Sequence, residues 1–385
     1  MRSIGLVLLL CLLFAGCATT SLPPVTQEFG LEEDEKRLWF RFEEVEKKIQ
    51  ASGLIYRDEG LELYLNDIVQ KLQPPETLKN ISFRVKILNY HLPNAFSFPT
   101  GLILIDTGAL SRLENEAQLT TILGHEMIHT SHRHALKKFR DAKNKTAFFA
   151  AITYGTGGLG GIVGALGALT TVMSYSRELE TEADTEGLKL MVRAGYDPGE
   201  APKFYLQMRK EYEEEKMREE LLFGTHPRFQ ERAENYENLL KTKYKDIRSG
   251  IQNSAIFMEK IHRVILDNAS LDLKAGRFKI AEREVEKYLG IKSSDPKAYY
   301  LLGEIYRQKA EKGDLEKAKD HYQKAISIDS SYPDAHKGMG FIYFKQGEKG
   351  LAKKSLEQYL SLSPQATDRA YIAEYIRHCR EGEKP

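Results

Sequence analysis

The segment "TTILGHEMIHTSHRHALKK", residues 120–138, holds four of the chain's ten histidines. His125 and His129 stand four positions apart, so on a helix both imidazoles leave one face about a turn apart. Two nitrogen donors at that spacing can converge on one Zn²⁺ at about 2.1 Å each. Glu126 is one residue on and turned by roughly 100°, which puts a carboxylate beside such an ion, placed to take a proton from water. The chemistry that suits these residue types is metal-assisted hydrolysis with Glu126 as acid/base.

Two histidines do not complete a catalytic zinc site; a third protein ligand is needed, with one position left open. "SYSRELETEADTEGLKLM", residues 174–191, supplies candidates on a helix whose Leu179, Ala183, Leu188 and Met191 face inward. Glu180 and Asp184 share a face. Glu180 can close a His₂Glu set, and Asp184, one turn on, can accept the outward N–H of a ligating histidine. Glu182 is the alternative third ligand, since Glu178, Glu182 and Glu186 lie on the same helix. The pairing with an aspartate four positions later favours Glu180. A third histidine six positions after His129 would make a metzincin, but position 135 is alanine and position 132 is not glycine. His132 and His134 therefore read as polar residues at the helix end. His226, in "THPRFQERAENY", precedes Pro227 at a helix start, and Arg232 follows six residues later.

These side chains need a scaffold. Leu38, Phe42, Val45 and Ile49, then Leu61, Tyr64, Leu65, Ile68 and Leu72, recur at helical spacing, and Pro74 and Pro75 stop the second run. Ile81, Phe83, Val85 and Ile87 alternate as in a half-buried strand, and "LILID", 102–106, reads as a second strand after a turn-like "LPNAFSFPTG". If strand 102–106 is an exposed edge, it can hold an extended substrate by β-augmentation. Residues 146–176 carry no charge, and seven glycines crowd their middle. At about 1 kcal/mol each relative to alanine, those glycines argue against one spanning helix. The expectation is two short buried helices joined by a glycine loop, lying near the active site as an apolar flap or membrane-facing hairpin.

From Ser254 onward the rhythm changes. "AYYLLGEIYRQKAEKGDLEKAKDHYQKAISIDSSYP" and "AHKGMGFIYFKQGEKGLAKKSLEQYLSLSP" share small, aromatic and apolar positions, and "DLKAGRFKIAEREVEKYL" is a fainter copy. They resemble tetratricopeptide repeats, helix pairs that bury their apolar stripes only against neighbours. The expectation is about three units and a terminal helix at 367–380, with a three-residue insertion in the central copy.

The N-terminus speaks to location. Arg2 precedes an apolar run from Ile4 to Ala15, which is too short to span a bilayer but has the length of a signal-peptide core. "LFAGC", residues 13–17, resembles a bacterial lipobox, which implies cleavage before Cys17, lipid on that cysteine, and, from Ala18 after it, the outer membrane. Cys11 would leave with the signal, so Cys379 remains alone and no internal disulfide forms. The formal net charge of +1 gives no footprint for nucleic acid. The expected layout is a signal peptide at 1–16, a lipidated linker at 17–30, a metalloprotease domain at 31–245 and a repeat domain at 250–385.

"HEMIH", "ELETEAD" and "HPRFQER", in that order with an apolar insert between the first two, resemble the gluzincin family that contains HtpX and the CAAX prenyl proteases. The exported form with C-terminal repeats is similar to the β-barrel assembly-enhancing type. The resemblance implies a mainly α fold with a small β-sheet: a zincin-like metalloprotease domain followed by an α-solenoid of tetratricopeptide repeats. It implies one Zn²⁺ per chain on His125, His129 and Glu180, Glu126 as catalytic acid/base, Asp184 in support, and His226 and Arg232 near the ion. His226 or Arg232 would bind the oxyanion, or His226 would block the open position. The expected substrates are unfolded or misassembled envelope polypeptides, with the repeats recruiting substrate or the outer-membrane protein assembly machinery. The competing reading is a chaperone or scaffold with a structural or inactive metal domain. A purely structural site, however, closes with a fourth ligand and needs no neighbouring acid.

Overall fold

Helix α1, Glu33–Ala51, buries Leu38, Phe42, Val45 and Ile49 on one stripe, and α2, Glu59–Leu72, starts where Asp58 accepts a hydrogen bond from the Leu61 amide. The computed structural model describes residues 22–26, 30–73, 75–77, 79–142, 145–154, 173–215 and 229–381. The expectations for the signal peptide, Cys17, His226 and most of the glycine-rich insert lie outside the described residues.

The sheet has three strands, β1 (Arg84–Leu88), β2 (Ala95–Ser97) and β3 (Leu102–Asp106), in the order β1-β3-β2. β1 runs parallel to β3, and β2 antiparallel to it. Strand 102–106 is therefore the central strand, buried at every position, so the condition for holding a substrate along it, an exposed edge, is not met. A continuous apolar run such as "LILID" needs cover on both faces. Of the two edge strands, β1 and β2, the second is hidden within "PNAFSFPTG" because it is three residues long and flanked by prolines.

After α3 (Thr107–Arg112) comes α4 (Glu116–Ser131), which carries His125, Glu126 and His129 and is buried along its whole length. The Asn115 side chain caps it by accepting from the Gln118 amide at 2.9 Å. The Glu116 carboxylate takes the hydroxyls of Tyr64 and Tyr196 and the amide of Asn253, tying this helix start to three other parts of the chain. At its C-terminus Arg133 adopts the left-handed region (φ 59°) and ion-pairs with Glu35. The chain thus turns sharply into α5 (His134–Asp141), bringing His134 back against His129.

Helix α6 (Lys145–Tyr154) buries Phe148 and Ile152, and α7 (Arg177–Arg193) carries Glu180 and Asp184 across α4. The crossing is close because two glycines meet there. A β-carbon on Gly124 would lie 2.9 Å from the Gly187 carbonyl oxygen, and one on Gly187 would lie 2.8 Å from the His125 nitrogen. Helices α8 (Ala201–Glu214) and α9 (Phe229–Thr242) complete this part.

The C-terminal region stacks three helix pairs: α10 (Ser254–Lys274) with α11 (Phe278–Ile291), α12 (Pro296–Lys309) with α13 (Asp314–Ile328), and α14 (Pro333–Lys345) with α15 (Lys349–Leu362). α16 (Arg369–Glu381) caps the stack, as the sequence expects. The architecture is mainly helical with one small sheet. One hydrophobic cluster runs from Leu61 through Met127 and Phe257 to Ile305, so the first repeat helices share the core of the preceding domain. Among the described residues, no helix is long and apolar enough to cross a membrane.

Candidate metal centre

The crossing of α4 and α7 brings three ligand residues together. The Nε2 atoms of His125 and His129 are 2.9 Å apart, and Glu180 places Oε2 3.3 Å from the first and Oε1 3.5 Å from the second. Donors arranged tetrahedrally around zinc at about 2.1 Å would stand about 3.4 Å from one another. Each imidazole has its own carboxylate oxygen near that distance, and the two imidazole nitrogens are closer. All three residues are buried, and the set fits a divalent ion with two imidazoles and one carboxylate. Glu182, the alternative ligand, points elsewhere: it accepts from His132 Nδ1 at 2.5 Å.

Behind His125, Nδ1 meets Asp184 Oδ1 at 2.8 Å. Arg232 Nη2 lies 2.7 Å from the same nitrogen, but a guanidinium only donates. With Nε2 turned to a cation, the imidazole proton resides on Nδ1, so the hydrogen bond is the one to Asp184. Asp184 also accepts from Arg232 Nη2 at 2.5 Å and from the Tyr236 hydroxyl at 2.7 Å. Burial opposes charge on Asp184, but Arg232 and His125 outweigh it and hold the carboxyl below the usual range. Arg232 in turn lies over the Tyr205 ring, 4.3 Å from its centroid.

On the far side, Tyr175 stacks on His129 with ring centroids 4.1 Å apart and an interplanar angle of 19°. Burial and the carboxylates of Glu126 and Glu180 push its phenol well above the ordinary value, so it stays protonated. His129 Nδ1 faces His134 Nδ1 at 2.8 Å. His134, read from sequence as a polar helix-end residue, is entirely buried, and with His132 and Glu182 it forms a second group of three potential ligands.

Glu126, His125 and Arg232 line a cleft with Asn94, Ala95 and Tyr205. Ser97 Oγ donates to the Glu126 carbonyl at 2.7 Å and Thr130 Oγ1 to the Phe98 carbonyl at 3.0 Å, pinning edge strand β2 along α4. Asn94 Oδ1, beside this cleft, is buried without a hydrogen-bond partner.

The structure thus brings together His125, Glu126, His129, Glu180, Asp184 and Arg232; His226 and Cys17 lie outside the described residues. Sequence reasoning missed Tyr175, Tyr205, Tyr236 and the Gly124–Gly187 contact. Tyr236 carried a usable signal, being four residues after Arg232 and so on the same helix face. Tyr205 and Tyr175 carried none, because they reach the site through tertiary packing.

Residues 59–240 match the model of peptidase family M48, residues 307–347 a TPR repeat and residues 338–365 a tetratricopeptide repeat. Similar proteins include the mitochondrial metalloendopeptidase OMA1 of Arabidopsis thaliana, 34% identical over 34% of this chain and 27% of that protein. The Schizosaccharomyces pombe protein of the same name is 30% identical over 46% of this chain and 52% of its own length. The β-barrel assembly-enhancing protease of Escherichia coli is 23% identical over 41% of this chain and 34% of that one. The chain spans about half, or less, of the length of these relatives. With the compact His/His/Glu cluster, the matches establish an M48-type metallopeptidase domain followed by a tetratricopeptide region, related to both kinds of protease.

Proposed function

We propose that the chain is a zinc metalloendopeptidase that degrades unfolded or misassembled envelope proteins. The observation that carries this reading is the convergence of His125, His129 and Glu180 on one point beside a cleft that Glu126 also lines. When bound, zinc supplies a Lewis acid that polarises the scissile carbonyl and brings the pKa of water down toward about 7. The chain's own residues do the rest. The Glu126 carboxylate takes the proton of the attacking water and delivers it to the departing amine nitrogen. Arg232, beside the cleft, offers N–H donors for the developing oxyanion. His226 is the other candidate for that role, or else a blocking ligand; loss of activity on His226→Ala favours the first and a rise favours the second.

Substrate binding falls to strand β2 rather than β3. Ala95, the first residue of that edge strand, and Asn94 before it line the cleft, where an extended peptide can pair by its backbone. Backbone recognition of this kind discriminates little between sequences, which suits unfolded polypeptide as substrate. The β-barrel assembly-enhancing relatives support an envelope setting, with lipid on Cys17 tethering the mature chain to the periplasmic face of the outer membrane. The repeats would recruit substrate or assembly machinery.

The test is casein hydrolysis by the native chain and by Glu126→Gln, each with and without chelator. Activity in the native chain alone, abolished by chelator, is expected. Equal behaviour of all four samples would contradict it.

A further inference from the structure

The two histidines of the metal centre are backed differently. His125 has a carboxylate, Asp184, directly against its outer nitrogen, whereas His129 has another imidazole. Behind that imidazole stands Glu182, with Oε2 3.4 Å from His134 Nε2. His134 Nε2 is buried without a formed hydrogen bond, and Glu182, partly exposed, holds the nearest carboxylate oxygen.

The tautomers settle what this chain of groups does. If His129 binds a cation through Nε2, its proton sits on Nδ1, and His134 Nδ1 must accept it. An imidazole that accepts at Nδ1 has no proton there and carries its own on Nε2. That proton points at Glu182. We propose that His134 and Glu182 form a positioning relay behind His129, the counterpart, one ring longer, of Asp184 behind His125. The relay fixes the His129 tautomer and ring plane and raises the basicity of its ligating nitrogen. This inference rests on the zinc reading of the first site.

His132, His134 and Glu182 can also be taken for a second cation site, since their ligand atoms lie within 4.8 Å of one another. Three observations speak for the relay instead. The His134 nitrogen that would ligate is the one left protonated while His129 holds its ion. His132 already donates to Glu182 at 2.5 Å, and the Lys137 ammonium stands 3.7 Å from the same carboxylate.

The experiment is a zinc titration of the full chain against a chromophoric chelator, giving both affinity and stoichiometry, with far-UV circular dichroism reporting the fold of each variant. His134→Leu should weaken zinc binding by about 10- to 100-fold at one ion per chain. His134→Gln, whose amide accepts and donates along the same line, should recover most of that loss. Glu182→Ala, at a partly exposed position that does not threaten folding, should weaken binding several-fold. An affinity unchanged in both His134→Leu and Glu182→Ala would overturn the relay while leaving the first site standing. Two ions per native chain, one of them lost in His132→Ala, would replace it with a second cation site. A native chain that takes up no zinc would remove the first site and the relay together.

Discussion

At the scale of single residues, the centre separates groups that hold an ion from groups that move protons. His125, His129 and Glu180 turn their donor atoms toward one another, whereas Glu126 faces the cleft. Glu126→Gln should therefore lower peptide hydrolysis by about 10²- to 10⁴-fold, while metal content, read by elemental analysis, stays at the native level. Tyr236 tests the support beneath. Its hydroxyl is one of the donors that keep a fully buried Asp184 charged, and hydrogen bonds to charged groups are worth roughly 1.5–3 kcal/mol. Tyr236→Phe should cost about that much in urea unfolding of the metal-free chain; a loss below about 0.5 kcal/mol would mean that Arg232 alone suffices.

At the scale of elements, the site exists because α4 and α7 cross at van der Waals distance. Gly187→Ala would press a methyl group into the His125 backbone, and overpacking of this kind costs about 1–3 kcal/mol. The larger effect should be on geometry: Glu180 moves away from the imidazoles, and zinc affinity falls even where thermal melting shows the chain folded. Native affinity in a folded Gly187→Ala chain would show that the crossing tolerates more than its contacts suggest. Much of this level was legible beforehand. The i, i+4 spacing of His125 with His129 and of Glu180 with Asp184 gave two helix faces, and apolar periodicity gave the flanking helices and the repeats. Strand β2 was hidden by its prolines and its length, and whether β3 lies at an edge or in the centre stayed open because pairing order is not written in one strand's own residues. The glycine contact was invisible for the same reason: Gly124 and Gly187 matter only through each other.

At the scale of the molecule, a buried charge cluster fastens the peptidase part to the first repeat helices. Arg112 of α3 meets Glu211 of α8 at 2.8 Å, Asp272 of α10 at 3.2 Å and Glu284 of α11 at 3.3 Å, with Arg277 joining Glu211 and Asp272. Arg283 adds a third guanidinium 3.7 Å from Glu211, on the side away from Glu284, which shares Arg112 with two other carboxylates. Burial, aided by Asp272 and only partly offset by Arg112, pushes Glu284 up to about 8. A folded-state pKa raised above the unfolded value means that the folded chain binds the extra proton. Its contribution to stability is complete below the ordinary carboxylate pKa of about 4.3 and is lost as pH rises through about 8. Glu284→Gln should therefore flatten the decline of the melting temperature between those pH values; an unchanged slope would place the titration elsewhere. The central claim, one ion held by three side chains from two helices, is tested most directly by the metal content of purified native chain and Glu180→Ala after dialysis. One zinc per native chain is expected, and a small fraction of that in the variant. Equal content in the two proteins, or none in the native chain, would contradict it.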